Sequence, residues 1–253
     1  MEEKFARLKK FNIIAGFLHL AQGLIMIIIS NDFMINVTRS FLDFNPSTRT
    51  LFPASVEIFS VKFGYLVVLF LLLSALFHFL IAFGYYQKYI DFLKRGQNPY
   101  RWNEYSISAS IMIVAIAMLT GIYDISLLIA VFFLNAFMIW FGMLMEKMNE
   151  DKEKLDWLPF IYGCVAGAIP WVVIGFYLFG AGGGEGGPPN FVYWIYLSLF
   201  IFFNCFAINM YLQYKKVGKW KDYLYGEWIY IILSLVAKSL LAWQVFAGAL
   251  RPV

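Results

Sequence analysis

Seven runs of about 20 mostly apolar residues constrain the fold of this chain more than any other feature. They cover residues 11–30, 61–86, 100–123, 125–146, 158–179, 191–213 and 226–250. A helix of roughly 20 apolar residues crosses the hydrocarbon core of a bilayer and satisfies its backbone hydrogen bonds internally. Since 61% of the 253 residues are hydrophobic and only 14% are charged, little of the chain remains for a soluble domain. The sequence therefore predicts an all-α membrane protein, with residues 1–253 forming a single bundle of seven transmembrane helices.

The basic residues lie almost entirely on one side of these predicted helices. Fifteen of the 20 lysines and arginines fall in the N-terminal tail and in the second, fourth and sixth loops. Because Lys and Arg in short flanking loops stay on the cytoplasmic side, we expect a cytoplasmic N terminus and, after seven crossings, an extracellular C terminus. The net charge of +4 then reflects this topology and attraction to the lipid bilayer, so no nucleic-acid partner is expected. The expected location is the cell (plasma) membrane, as a multi-pass protein.

One loop is long, residues 31–60, and the topology places it outside the cell. Residues 33–38 and 50–52 have strand character and flank a turn-like segment at 43–47. The loop is therefore either a small β-hairpin over the outer mouth of the bundle or an irregular connection. Residues 180–189 are rich in glycine and end in two prolines, which is typical of a flexible external connector.

Lys238 lies near the middle of the last apolar run. An ionised ammonium at bilayer depth costs at least ~3 kcal/mol, so a lysine there indicates a functional site. A lysine desolvated in an apolar pocket readily loses its proton and becomes a nucleophilic amine. Such an amine condenses with an aldehyde to a Schiff base.

Three further ionisable side chains fall inside the predicted helices: His19, His78 and Glu104. Every other carboxylate is expected in a loop or at a helix end. At a rise of ~1.5 Å per residue, both histidines lie ~12 Å from the cytoplasmic boundary and Lys238 lies ~15 Å from it. The two histidines and the lysine therefore share one layer of the membrane.

Hydroxyl and amide side chains join this layer, three of them four residues from one of the ionisable groups and so on the same helix face. They are Ser74 before His78, Ser108 after Glu104, Ser234 before Lys238, and Asn135 at the depth of Lys238. Taken singly, such a serine usually bonds its own i−4 carbonyl and a lone histidine usually only packs. Together with a buried lysine and one carboxylate, they indicate a functional cluster.

A protonated Schiff base is a buried cation and needs an anion within ~4–6 Å. Glu104 is the carboxylate that the sequence offers for this role. Counted from Trp102, however, it lies only ~3 Å into its helix, which leaves ~12 Å to Lys238 along the membrane normal. The gap closes if the third helix begins nearer Pro99, or if the helix tilts differ by the usual ~20°.

These features resemble the microbial retinal-binding rhodopsins, and in detail the heliorhodopsin branch. The resemblance covers the whole chain and is strongest in Arg101-Trp-Asn-Glu-Tyr-Ser106, Phe203-Asn-Cys-Phe-Ala-Ile-Asn209 and Ser234-Leu-Val-Ala-Lys238. The cytoplasmic N terminus also fits that branch, which is inverted relative to other rhodopsins.

The resemblance implies that Lys238 carries all-trans-retinal as a protonated Schiff base, with Glu104 as the counterion and Ser234 bonded to the Schiff base. It also implies that His19 and His78 line a hydrated polar cavity that exchanges the photoreleased proton. The polyene pocket, mapped by position, comprises Tyr105, Asn135, Met138, Ile139, Gly142, Phe160 and Phe203.

The same residues argue against an ion pump. Pumping rhodopsins carry an aspartate four residues before the lysine and another acid eleven residues after the counterion, where this chain has Ser234 and Ala115. We therefore expect a light sensor that signals to an unknown cytoplasmic partner, and no enzyme.

Heliorhodopsins are dimers, and Gly163 and Gly167 form a GxxxG pair, so the expected assembly is a homodimer.

Other functions stay open at this point. Ser234 and Lys238 are also the pair that a serine nucleophile and its lysine base would form in an intramembrane hydrolase. The polar cluster also suits a proton-coupled transporter of small solutes, for which Pro170 near Gly167 is the one hint of a helix broken at midplane. A light-driven ion-translocating rhodopsin is the remaining alternative.

Overall fold

The computed structural model describes residues 2–180 and 187–252, so most of the predicted connector at 180–189 lies outside the described residues. The helices are α1 (Glu2–Ile29), α2 (Phe63–Phe79), α3 (Tyr86–Lys94), α4 (Pro99–Leu119), α5 (Ile125–Met148), α6 (Leu158–Gly180), α7 (Asn190–Tyr214) and α8 (Tyr223–Val245). Two strands, β1 (Met34–Asn45) and β2 (Thr50–Lys62), connect α1 to α2. Turns of π-helix extend α2 over Leu80–Gly84 and α8 over Phe246–Leu250.

Among the described residues, seven helices are long and apolar enough to cross a membrane, and the short α3 is not one of them. The predicted all-α bundle of seven membrane helices is confirmed. One end of the bundle carries the N terminus and α3, and the other carries the strands; we call them the N-terminal end and the hairpin end. Which end faces the cytoplasm stays a prediction.

The N-terminal end contains more helix than the apolar runs predict. α1 begins at Glu2 and not at residue 11, because Phe5 and Leu8 in its polar first turns are buried in one cluster with Ile81 and Tyr89. The second predicted helix, 61–86, is divided: its first two residues end β2 and its last residue begins α3.

α4 is the central helix of the bundle. Of the residues in its most apolar 18-residue stretch, 67% are buried. The corresponding share in the other six membrane helices is 17–44%. It begins at Pro99, which suits the first helical turn because proline lacks an N–H, and the Asn98 side chain caps it by accepting a hydrogen bond from the Arg101 N–H at 3.1 Å. Glu104 therefore lies more than a turn inside the most enclosed helix.

The hairpin half of the bundle is filled by one large apolar cluster. Phe70 and Leu71 of α2, Met112 and Ile116 of α4, and Leu241 of α8 are among its fully or almost fully buried members. The polar residues of the predicted layer lie between this cluster and the N-terminal end.

The long loop is a β-hairpin and not an irregular connection. β1 and β2 pair antiparallel from Met34 opposite Lys62 to Asn45 opposite Thr50, with a bulge at Val37 and Thr38. Most of its side chains are exposed, so its own packing does not fix its position.

Asp124 ties the hairpin to the bundle. One of its carboxylate oxygens accepts a hydrogen bond from the Ser40 N–H at 2.8 Å, and the other accepts one from the Ser126 N–H at 2.9 Å, capping α5. The bonds from Ser40 first, and then those from Ser126, lower the pKa of Asp124 to about 2. Because this pKa is below that of an unfolded aspartate, ~3.9, the carboxylate stabilises the fold above that value.

We predict that Asp124→Ala lowers the thermal unfolding temperature in detergent, since a lost N-cap alone costs about 1 kcal/mol. The difference from wild type should be constant from pH 7 to about pH 5, should shrink as the pH falls through the unfolded value of ~3.9, and should disappear below about 2. Asp91→Ala, at an exposed aspartate on α3, is the control and should change little. A difference that does not depend on pH would contradict the assigned role of the carboxylate.

Candidate functional site

Lys238 and Glu104 form an ion pair in the interior of the bundle. Their residues are 2% and 5% exposed, and the Lys238 ammonium donates to Glu104 Oε1 at 2.7 Å. It also donates to Ser234 Oγ at 2.8 Å, one helical turn earlier on α8. The expected gap of ~12 Å is closed: α4 begins at Pro99, which carries Glu104 ~4.5 Å deeper than a start at Trp102 would, and the two side chains span the rest.

The carboxylate of Glu104 is held from a second helix. Ser74 of α2 donates its hydroxyl to Glu104 Oε1 at 2.6 Å. A buried ion pair offsets its desolvation cost only with good geometry and further hydrogen bonds, and the two serines supply these. The result is a primary amine and a carboxylate fixed in contact away from lipid.

Both predicted histidines lie beside this pair. The rings of His19 and His78 are stacked, with centroids 5.7 Å apart and planes at 12°. Nδ1 of His78 is 2.8 Å from Oδ1 of Asn12, whereas both ring nitrogens of His19 and the hydroxyl of Ser108 are buried without a hydrogen-bond partner among the described residues. Buried polar atoms rarely stay unpaired, and ordered water would satisfy these three; the hydrated cavity at the histidines stays a prediction.

On its other side Lys238 borders an apolar cavity between α4, α5, α6, α7 and α8. The volume open to the centre of a water-sized sphere is about 120 Å³. Six of the seven residues predicted for the polyene pocket line this cavity: Tyr105, Met138, Ile139, Gly142, Phe160 and Phe203. The seventh does not, because Asn135 donates its amide to Ser110 Oγ at 3.0 Å, between α5 and α4.

The sequence analysis did not identify several residues that line this cavity. Two of them lie one helical turn from residues that it did identify. Trp102 lies three residues before Tyr105, and Tyr230 lies four residues before Ser234. The others are Ala109, Met112, Pro159, Gly163, Cys164, Phe206, Ala207, Met210 and Ala237.

Glycines allow helices to approach closely around the cavity. A Cβ on Gly142 would lie 2.5 Å from the Trp102 ring, so only glycine leaves room for that indole in the wall. The GxxxG pair faces α5 of the same chain: a Cβ on Gly163 would lie 3.3 Å from the Met138 carbonyl, and one on Gly167 would lie 2.9 Å from Met138 Cγ. The motif therefore serves contact within the chain and does not support the expected homodimer.

A second buried ionic cluster lies nearer the N-terminal end, formed by Arg101, Glu146 and Glu227. They are 5%, 4% and 1% exposed. The count of basic residues above includes Arg101 in the second loop, and the two glutamates are expected at helix ends. Glu146 and Glu227 do lie near helix ends, but all three side chains are buried, which the sequence analysis did not predict. These helix ends are enclosed by the early turns of α1 and by α3, which the apolar runs did not predict.

Arg101 bridges the two carboxylates. Its guanidinium donates to Glu227 and, at 2.5 Å, to Glu146 Oε1, and it stacks over the rings of Tyr230 at 3.8 Å and Trp102 at 4.3 Å. Trp102 Nε1 donates to Glu146 Oε2 at 2.6 Å. Trp102 and Tyr230 thus belong both to this cluster and to the wall of the apolar cavity.

Comparison with solved structures identifies the class of fold. The chain is similar to the crystal structure of a cyanorhodopsin from the cyanobacterium Tolypothrix sp., with a TM-score of 0.62 and 12% identity over 97% of this chain and 92% of that one. At this identity the likeness shows the fold alone, a seven-helix rhodopsin bundle.

The family follows from the sequence. The heliorhodopsin family model matches residues 8–250, and the chain belongs to the heliorhodopsin family. None of the curated proteins matches it significantly.

The rhodopsin family implies a retinal chromophore, and the residues present fit one. An aldehyde on a long polyene needs a primary amine at the end of an apolar slot, with an anion beside the amine. Lys238, Glu104 and the aromatic cavity have these properties.

We predict that Arg101→Met destabilises the protein by about 3–5 kcal/mol, because it leaves two buried carboxylates without their cation. Arg7→Met is the matched control. Arg7 pairs with Glu3 on the surface of α1, with side chains 78% and 79% exposed, and such pairs contribute little. Chemical unfolding in mixed micelles should separate the two variants clearly, and equal stabilities would contradict the buried cluster.

Proposed function

We propose that this protein is a light-sensing photoreceptor that carries all-trans-retinal on Lys238 as a protonated Schiff base, with Glu104 as the counterion. Membership of the heliorhodopsin family and the rhodopsin fold support a retinal-binding photoreceptor. The observation that carries the finer assignment is the contact of 2.7 Å between the Lys238 amine and Glu104, at the border of the apolar cavity.

In this proposal Lys238 would hold retinal through its amine nitrogen, with the aldehyde oxygen leaving as water. Glu104 would neutralise the positive charge on the protonated nitrogen, and Ser234 Oγ would accept its hydrogen bond. Ser74 holds the counterion in place through its hydroxyl. When bound, retinal supplies absorption of visible light and isomerisation about a double bond.

The aromatic walls of the apolar cavity would exclude water from the polyene. Trp102 and Phe206 pack against Tyr230 at centroid distances of 6.0 and 6.2 Å, and Tyr105 packs edge to face on Phe206 at 5.5 Å. Rings held in this way resist displacement, so a change in the shape of the chromophore is transmitted to the helices that carry them.

We propose a signalling role and no ion pumping. Ala115, at one position where a pump carries an acid, is fully buried in the apolar cluster of the hairpin half. The buried charged side chains nearest to the Lys238 pair, Arg101, Glu146 and Glu227, lie toward the N-terminal end, so a displaced proton would leave and return on the same side. The signalling partner is proposed to bind at the basic loops of that end, which we place in the cytoplasm.

The proposed assembly is a homodimer in the plasma membrane. With the GxxxG pair occupied by α5, the remaining support is the exposed apolar surface of the hairpin and the resemblance to a dimeric family. Large side chains there include Phe41, Leu42, Phe44, Leu51 and Phe52.

The described residues give little support to a transporter or to an intramembrane hydrolase. A transporter of this type needs helices broken near the midplane, and α6 continues through Pro170 from Leu158 to Gly180. A lysine base for Ser234 would have to be neutral, whereas Lys238 contacts the carboxylate of Glu104.

We predict that protein purified with all-trans-retinal has a visible absorption band that Lys238→Ala abolishes. Glu104→Gln should shift the band, because the charge on the nitrogen loses its neutralising partner. Glu57→Gln, in the hairpin, should leave the spectrum unchanged. A visible band retained by Lys238→Ala would overturn the proposed linkage, and no band in the wild type would favour the transporter.

We also predict no sustained light-driven proton transport. In liposomes containing the pigment, continuous illumination should produce no internal pH change that a protonophore abolishes, because Ser234 and Ala115 stand where a pump carries its two acids. A sustained protonophore-sensitive gradient would establish the ion-translocating alternative.

A further inference from the structure

We propose that Glu227 accepts the proton that leaves the Lys238 nitrogen after light absorption and holds it until the proton returns. The buried cluster of Arg101, Glu146 and Glu227 would thus be an internal proton store. This inference rests on the proposed function, in which Lys238 carries a protonated linkage to retinal.

A small polar cavity connects the Glu104 pair to Glu227. The volume open to the centre of a water-sized sphere is about 20 Å³. A water needs roughly 10–15 Å³ by this measure and two to four polar partners. The cavity therefore has room for about one water, and its polar lining is Asn12, His78, Tyr89, Asn98, Arg101, Glu104, Tyr105 and Glu227. A water in this cavity would lie between Glu104 and the cluster.

The charges of the cluster favour the uptake of a proton. One guanidinium lies between two carboxylates, so the cluster has an excess negative charge when both are ionised. A proton moving from the Lys238 nitrogen to Glu227 breaks an N–H bond and forms an O–H bond. The nitrogen and the carboxyl both become neutral, and no further reactant is needed.

Glu227 and Glu146 differ in ways that select Glu227. Glu146 accepts four hydrogen bonds, from Asn98 N–H, Arg101, Trp102 and, at 3.1 Å, the Tyr223 hydroxyl. Glu227 accepts from Arg101 and from the Asn98 amide, at 2.6 Å. Glu227 also lines the cavity that leads to Glu104, whereas Glu146 lines a groove with Lys147 and Trp140.

The groups around Glu227 define the competing acceptors. Glu104 and His78 are the other proton acceptors that line the cavity and are therefore the competitors in the test. The titratable or charged side chains that face the cluster are His78 on α2, Tyr89 on α3, Arg101, Glu104 and Tyr105 on α4, Glu146 on α5, Tyr214 on α7, and Tyr223 and Tyr230 on α8.

The test is infrared difference spectroscopy, light minus dark, on retinal-loaded wild type, Glu227→Gln and Glu146→Gln. We expect the wild type to gain a carboxylic-acid C=O band, shifted down in D₂O, with the same time course as the loss of the visible band. Glu227→Gln should lose this C=O band, and Glu146→Gln should keep it. Glu227→Asp should keep a carboxylic-acid band at an altered frequency.

A second measurement uses the protein without retinal. Every carboxyl gains a C=O band after an acid step, so the band of Glu227 is isolated by subtracting the infrared spectrum of Glu227→Gln from that of the wild type. The isolated band should lie at the high frequency of a carboxyl shielded from water, because Glu227 is 1% exposed. This measurement tests the carboxyl itself and is independent of any photoreaction.

Three results would overturn the proposal: a C=O band that persists in Glu227→Gln, an imidazole band of His78 that replaces it in the wild type, or release of the proton to a dye in bulk water. Failure of the proposed function is distinguishable, since it is the absence of a visible band from wild-type protein before illumination. A Glu227→Gln protein that keeps the dark visible band but lacks the C=O band supports the store.

Discussion

The rest of this structure depends on the ion pair between Lys238 and Glu104. An ammonium in the interior of a membrane bundle is stable only with an anion in contact and hydrogen bonds around both groups. The serines at 74 and 234 supply those bonds from α2 and α8. Because the carboxylate comes from α4, that helix has to lie at the centre, within reach of both neighbours. The apolar cavity can then begin directly beside the amine.

The pair divides the bundle into two unlike halves. Toward the hairpin end, α2, α4 and α8 pack into one continuous apolar cluster. Toward the N-terminal end lie the stacked histidines, the small polar cavity and the cluster around Arg101. A proton displaced from Lys238 therefore has polar side chains toward the N-terminal end and mainly apolar side chains toward the hairpin end. This asymmetry suits a molecule that moves a proton locally more than one that moves it across a membrane.

Two aromatic side chains link the apolar cavity to the ionic cluster around Arg101. Trp102 and Tyr230 line the apolar cavity, and each also contacts the Arg101 guanidinium. A change of shape in the cavity therefore acts on the ionic cluster through direct packing. Since α3 and the ends of α4, α5 and α8 meet there, a change in the charge of Glu227 would alter the packing of the end that carries the basic loops.

The sequence by itself determined the features that depend on local properties: seven membrane helices, from the length of each apolar run, and the pairing of Ser234 with Lys238, from spacing on one helix. It also identified Glu104, because a carboxylate inside an apolar run can be recognised before its partner in the fold is known. Tertiary structure alone decided the contact of Glu104 with Lys238, the hairpin, the position of Asn135 outside the cavity, and the use of Gly163 and Gly167 within the chain. It also decided the burial of Arg101, Glu146 and Glu227. Their charges lie at helix ends, and whether a helix end is exposed or enclosed depends on the neighbouring helices that cover it.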